Sequence, residues 1–382
     1  MTGSHGSYSM GDSTRCVRAI EGTATAGEPM LRGPVFAAPY HLGPEDEPQR
    51  DTYARGSHPG WRDLERALAL LEGASGTRVV GSGMSAIAVV LRSLLHAGDT
   101  LVVPTDGYFQ VRTLAADLAA RSGIDVHEVP TTAFNSDALE RIFESARGRV
   151  IVLVESPSNP ALDVIDIRRL AARCGAAGAK LIVDNTTATP LGQQPLALGA
   201  HAVVASGTKS LSGHSDLLMG YVAASDDELL DAVERERLQA GTVLGPFETW
   251  LALRSLGSAG LRIERQCANA AAVAAMLVNR PQVRNVRYPG LVDDPAHEIA
   301  RLQMRRYGSL VGLELGSADE VHRFIAGSEL LVSATSFGGL HTTADRRARW
   351  GDQVPEGFVR LSCGIEDTDD ILADIDQALG SL

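Results

Sequence analysis

The apolar positions change their spacing several times along the chain, and each change marks an element. Residues 1–58 are rich in Gly, Pro, Ser and Thr and show little periodicity beyond the patch Pro34 to Tyr40. They read as an extended or loop-rich arm. From Trp61 the spacing turns helical: WRDLERALALLEG carries apolar residues at intervals of three and four and stops at Gly73. RVVGSG then predicts a short strand entering a turn, and SAIAVVLRSLLHAGD a helix ended by Gly98. The strands TLVVP, IDVHEV, RVIVLVE, KLIVDN and AHAVVAS follow, with helices from Tyr108 to Arg121, near Asp137 to Ser145, and from Ile167 to Ala177. Continuous apolar strands separated by helices predict an α/β domain with a largely parallel sheet covered on both faces.

Beyond about Pro246 the texture shifts. A long helical stretch, FETWLALRSLGSAGLRIERQCANAAAVAAMLV, leads to the strand SLVGLELG, the helix ADEVHRFIAG, the strand LLVSATS and a last helix DDILADIDQAL. This predicts a smaller α+β domain joined by the long helix. The expected division is an arm over 1–58, a large domain over 59–245 and a small domain over 246–382.

Charge narrows the partners. With 35 basic and 47 acidic residues the net charge is −12, which opposes binding to a phosphate backbone. No apolar run reaches the roughly 18 residues of a membrane span, and the start MTGSHGSYSMGDSTR lacks a cationic region leading into an apolar one. A cytoplasmic location is expected, with neither nucleic acid nor membrane as partner. Cys16, Cys174, Cys267 and Cys363 lie far apart without metal-ligand spacing, so buried thiols and no metal are expected.

The lysines are more telling. There are two, Lys180 and Lys209, against 33 arginines. Arginine serves wherever charge suffices, but it cannot act as an amine nucleophile. In a parallel sheet, ligands lie beyond the carboxyl ends of the strands, and Lys209 follows such an end in Ser206-Gly207-Thr208-Lys209, whereas Lys180 stands at an amino end, where a structural or surface role is expected. Glu155 and Asp184 close two further strands, and Gly81-Ser82-Gly83-Met84 joins strand to helix, with amides at a positive helix terminus suited to phosphate. Taken singly, each has an ordinary reading: a solvated lysine, a turn-forming aspartate, a common glycine turn. Together they comprise an imine-forming amine, an acid for a pyridinium and a phosphate cradle, the requirements of pyridoxal phosphate. A nicotinamide oxidoreductase on the same sheet is disfavoured, because the G-x-G-x-x-G fingerprint is missing.

ESPSNPALDVIDI, DNTTATPLGQQPLALGA, ASGTKSLSGHSD and RLSCGIEDTDD resemble the Cys/Met-metabolism family of pyridoxal-phosphate enzymes, from Tyr53 onward. That family includes cystathionine γ-lyases, methionine γ-lyases, cystathionine γ-synthases and O-acylhomoserine sulfhydrylases. The resemblance implies a fold-type I architecture and a homotetramer of two catalytic dimers. It implies Lys209 as the imine lysine, Asp184 as partner of the pyridine nitrogen and Tyr108 as the ring stacked on the cofactor. Phosphate would be held by the amides of Gly83 and Met84, the hydroxyls of Ser206 and Thr208, and Tyr53 and Arg55 donated by the neighbouring subunit. Asn159 would face the cofactor's phenolic oxygen. Arg360 would clamp the substrate α-carboxylate, with Ser336 completing that pocket.

The chain departs from the family in places. Tyr108-Phe109-Gln110 lacks the cysteine that methionine γ-lyases place two residues after the tyrosine, and His58-Pro59-Gly60 replaces the usual N-P-T. In SFGGLHTTADRRARW, His341 replaces an acid, and the segment to Val359 is short and basic. Its Arg346, Arg347 and Arg349 would either bind a distal carboxylate or be solvated charge, the second being favoured. The R-R-x-R-W loop resembles that of actinobacterial proteins labelled cystathionine γ-lyase. The expected activity is therefore γ-elimination on cystathionine or a related sulfur amino acid such as methionine. The alternatives are γ-replacement on an O-acylhomoserine and a pyridoxal-binding regulator without turnover.

Overall fold

The computed structural model describes residues 10–22 and 25–382. The first nine residues of the expected arm, with Thr23 and Ala24, lie outside the described residues.

Seven strands build the larger sheet: β1 (Gly76–Val80), β2 (Thr100–Pro104), β3 (Asp125–Val129), β4 (Val150–Glu155), β5 (Lys180–Asp184), β6 (Ala202–Ser206) and β7 (Gly220–Ala224). Their order is β1-β7-β6-β5-β4-β2-β3. β2 to β6 pair in parallel, β7 runs antiparallel to β6, and β1 antiparallel to β7. Two reversals restore the direction, so β1 points the same way as the parallel strands. It delivers Gly81-Ser82-Gly83 to the edge where β4, β5 and β6 end. β7 and the helix Asp227–Ala240 add to the elements expected from the sequence. Every residue of β7 is buried, and Asp226 caps the helix by accepting from the amides of Glu228 and Leu229.

Both faces of this sheet are covered, as its apolar strands require. Helix Gly83–Leu94 lays Val89, Val90 and Leu91 against Leu101, Val103, Ile151 and Val204. On the other face Leu170 and Cys174 of helix Ile167–Ala176 pack on Val152, Val154 and Val183. Burial of each such Leu, Ile or Val side chain stabilises by about 2 kcal/mol, which makes the strand ends a rigid platform.

The smaller sheet contains β8 (Asn285–Arg287), β9 (Leu310–Glu314), β10 (Val332–Ser333), β11 (Thr343–Arg346) and β12 (Phe358–Ser362), in the order β10-β11-β12-β9-β8. Helices Ala259–Leu277, Ala318–Gly327 and Thr368–Gly380 cover it. The expected long connecting helix is two helices, Pro246–Leu256 and Ala259–Leu277, parted at Gly257-Ser258.

The arm also differs from expectation. It contains a helix, Asp12–Ile20, whose Cys16 and Ala19 are fully buried against the core formed by Trp61, Leu64, Leu256 and Ile263. Its apolar face is only Cys16, Ala19 and Ile20, too short a run to show a period by itself. The core it docks on supplies the stabilisation that its own sequence lacks.

Candidate active site

The loaded strand ends meet at one edge. Glu155 and Asp184 are register partners in β4 and β5, and Ser206 of β6 stands opposite Gly220 of β7. Helix Gly83–Leu94 begins there. Ser82 caps it, its Oγ accepting from the Ser85 amide at 3.1 Å while its carbonyl takes the Ala86 amide at 3.0 Å. The Gly83 and Met84 amides emerge beyond these caps, where a helix offers no acceptor of its own. A Cβ on Gly83 would lie 2.7 Å from Ser206 Cβ, and one on Gly220 would lie 2.1 Å from the Ser82 carbonyl oxygen. The turn approaches the strand so closely that only glycine fits at either position.

Asp184 Oδ1 accepts from the Thr186 amide at 2.9 Å and from its hydroxyl at 2.5 Å. Burial raises the Asp184 pKa, opposed by the Thr186 hydrogen bonds and the charge of Lys209. Glu155 is raised too, by burial first and by the neighbouring Asp184 second. Its Oε2 accepts from the Tyr108 amide at 3.0 Å, fixing the start of helix Phe109–Ser122. Tyr108, Glu155 and Asp184 line one small hollow.

Lys209 lies within this constellation. Its Nζ donates to Ser336 Oγ at 2.6 Å and sits 5.3 Å from the Phe337 ring centre. Burial, helped by Arg360 and opposed by Asp184, draws its pKa down to about 8. Lys180 begins β5, at the opposite end from Asp184.

Ser336 carries a backbone φ of 72°, a left-handed conformation that a non-glycine residue adopts at a cost of about 1–3 kcal/mol. That conformation presents both its polar groups to the site, because Arg360 Nη2 donates to the Ser336 carbonyl at 2.7 Å. Arg360 Nη1 donates to Asn159 Oδ1 at 2.5 Å, and its guanidinium lies 5.2 Å from the Phe337 ring centre. Burial, then the like charge of Arg347, lowers the Arg360 pKa to about 10.

Lys209, Asp184, Tyr108, Asn159, Ser336 and Arg360 thus lie around one site, with Gly83, Met84 and Ser206 together at the start of helix Gly83–Leu94. Thr208 is adjacent, but its hydroxyl is engaged with Met219, donating to the carbonyl at 3.2 Å and accepting from the amide at 2.9 Å. Tyr53 and Arg55 lie elsewhere on the surface. Tyr53 is half exposed, while Arg55 donates to the Leu238 carbonyl at 3.4 Å and lies over the Tyr53 ring. Phe337 and Thr186 escaped the sequence reading. Thr186, two residues after Asp184 in DNTT, stands where a strand-end aspartate bonds its own turn. A cleft of about 800 Å³ opens beside Ser336, bounded also by Gly81, Thr208, Glu248, Phe337 and His341.

The expectation for Arg347 fails. It is neither solvated nor at the cleft, but buried between Asp345 and Asp352. Arg346 pairs with Glu356, and Arg349 lies over Trp350 at the surface.

A half-buried amine of lowered pKa, a half-buried carboxylate at the neighbouring strand end and two outward amides beside a hydroxyl lie along one sheet edge, and they fit the donor set that pyridoxal phosphate requires. The protein is of the pyridoxal-phosphate-dependent class on this parallel-sheet fold. Comparison with known proteins narrows the class. The pattern described as Cys/Met metabolism PLP-dependent enzyme matches residues 21–380, and the chain belongs to that family, whose members are enzymes acting at carbon–sulfur bonds of small sulfur amino acids. A Streptomyces coelicolor protein named "Putative cystathionine gamma-lyase" is 49% identical, covering 97% of this chain and 93% of its own length. Cystathionine γ-synthase of Mycobacterium tuberculosis is 38% identical over 86% of each. A methionine γ-lyase structure from Micromonospora echinospora aligns with a TM-score of 0.89 at 34% identity, covering 97% of this chain and 99% of its own.

Proposed function

We propose that this enzyme performs γ-elimination on a sulfur amino acid, cystathionine first and methionine as a further substrate, consuming water and releasing a thiol, a 2-oxoacid and ammonia. The observation that carries the reading is the meeting of Lys209 and Arg360 on Ser336, the amine on its hydroxyl at 2.6 Å and the guanidinium on its carbonyl at 2.7 Å. A substrate carboxylate received by Arg360 sets the adjoining Cα beside the amine.

Pyridoxal phosphate, when bound, supplies the electron sink for carbanions at Cα and Cβ. Lys209 holds and moves the protons at those two carbons, and its lowered pKa keeps part of the amine neutral near physiological pH. Asp184 commits Oδ1 to Thr186, leaving Oδ2 for a ring N–H. The Gly83 and Met84 amides and the Ser206 hydroxyl would hold the cofactor's phosphate, and Thr208 would join them if its hydroxyl turned from Met219. Tyr108 would hold the cofactor ring, and Asn159, whose Oδ1 is taken by Arg360, would have its side-chain NH₂ free to donate to the phenolic oxygen.

Tyr53 and Arg55 act in a neighbouring subunit, within a cytoplasmic homotetramer of two catalytic dimers. Helix Asp12–Ile20 stays on its own core, and the later part of the arm, up to residue 58, reaches across; residues 59–245 hold the cofactor, and 246–382 form the small domain. Exposed apolar side chains on the arm, Met30, Phe36 and Leu42, support self-association. Among the described residues no helix is long and apolar enough to cross a membrane.

The synthase relative favours a second reading, γ-replacement on an O-acylhomoserine. Purified enzyme given cystathionine, methionine, or O-acetylhomoserine with a thiol separates them. Ammonia and 2-oxoacid from cystathionine are expected; thioether as the sole product overturns the lyase reading.

A further inference from the structure

Asp345 stands directly opposite Arg360 in the β11–β12 register. It is 4% exposed, and its Oδ2 lies 3.6 Å from Arg360 Nη2. That oxygen accepts from Arg347 Nη1 at 2.7 Å, and Oδ1 accepts from Trp350 Nε1 at 3.0 Å. Arg347 is held from behind, its Nη2 2.7 Å from Asp352 Oδ2. The ADRRARWGD segment, which the proposed chemistry leaves unused, therefore folds into a buried chain of alternating charge that ends at the guanidinium. Burying four charges is a poor route to stability, so the placement calls for another reason.

We propose that Asp345, fixed by Arg347 and Trp350, is a positioning residue for Arg360, holding the guanidinium in the plane from which it receives the substrate carboxylate. This rests on the proposed role of Arg360 as carboxylate clamp. Asp345 already accepts from Arg347 on Oδ2 and from Trp350 on both oxygens, and its 3.6 Å separation from Arg360 exceeds hydrogen-bond distance. Asp345 thus attracts Arg360 by charge without consuming the N–H groups a ligand needs. Asn159 and the Ser336 carbonyl, both neutral, fix the guanidinium's other contacts.

The test uses cofactor-loaded protein and two ligands without a leaving group, L-norleucine and L-norleucinamide, with affinities from calorimetry. The wild type is expected to prefer the acid. Asp345→Asn should weaken norleucine about tenfold, the usual scale for a supporting partner, and leave norleucinamide unchanged. Trp350→Phe, at a residue 46% exposed and so without core loss, should act in the same direction by about threefold; it carries the test if the first variant does not fold. Equal weakening of both ligands, or an unchanged ratio in both variants, overturns the positioning role. A wild type that does not distinguish acid from amide overturns instead the clamp on which the role depends.

Discussion

The two walls of the site are made in different ways. On the large-sheet side, Glu155, Asp184 and Ser206 each close a strand of one sheet, and Asp184 bonds Thr186 only two residues on. On the small-domain side, Arg360 depends on Asn159, 201 residues away in sequence, and on a strained Ser336 backbone. Topology alone places the first set, because covered parallel strands have one chemical edge. The second set is placed by a network, and a network can be retuned by substitution without disturbing the sheet. Reaction chemistry on the rigid wall and substrate choice on the adjustable one is the division this predicts.

The largest test breaks the rigid wall. Lys209→Arg keeps a positive charge at Ser336 but removes the amine. Turnover should fall about a thousandfold or more, and the protein should lose its borohydride-reducible adduct with the cofactor. Retention of both would move the chemistry away from the strand edge.

Arg360→Lys sharpens the contrast. The charge stays while the planar bidentate donor set goes, so KM for cystathionine should rise by about tenfold to a hundredfold, with a smaller change in kcat. Steady-state kinetics decides it: a loss confined to kcat would place Arg360 with the reaction chemistry and erase the difference between the walls.

The same contrast explains what the sequence revealed. Lys209 stood out because arginine replaces lysine almost everywhere else in the chain, and Asp184 and the Gly81-Ser82-Gly83 turn because they punctuate apolar runs. The antiparallel β7 stayed hidden, since direction is set by a partner strand and leaves no local pattern. So did the helix Asp12–Ile20, whose three-residue apolar face acquires meaning only against the core it meets. Arg347 misled for a related reason: a basic run is ordinarily solvated, and its burial depends on Asp345 and Asp352 folding around it. Ser336 was legible only by resemblance, because nothing in S-F-G-G announces a left-handed serine.

Glu72 provides a control inside the rigid wall, where a carboxylate is buried with no chemistry assigned to it. It ends helix Pro59–Glu72, and Tyr221 of β7 donates to its Oε1 at 2.6 Å while Oε2 is left without a partner. Burial raises its pKa from an ordinary 4.5 to about 7. The folded chain therefore holds this proton more tightly than the unfolded chain. The stability it contributes is complete below pH 4.5 and is lost as pH climbs through about 7. At roughly 1.4 kcal/mol per pH unit of displacement, the loss reaches about 3 kcal/mol. Glu72→Gln keeps an acceptor for Tyr221 and does not titrate, so its melting temperature should gain on the wild type between pH 5 and pH 8, with turnover unchanged. Parallel melting profiles would mean that this carboxylate stays ionised in the fold. An altered turnover would mean that the large-sheet wall transmits to Asp184 what happens at its far side, and that it is less rigid than its two-sided cover implies.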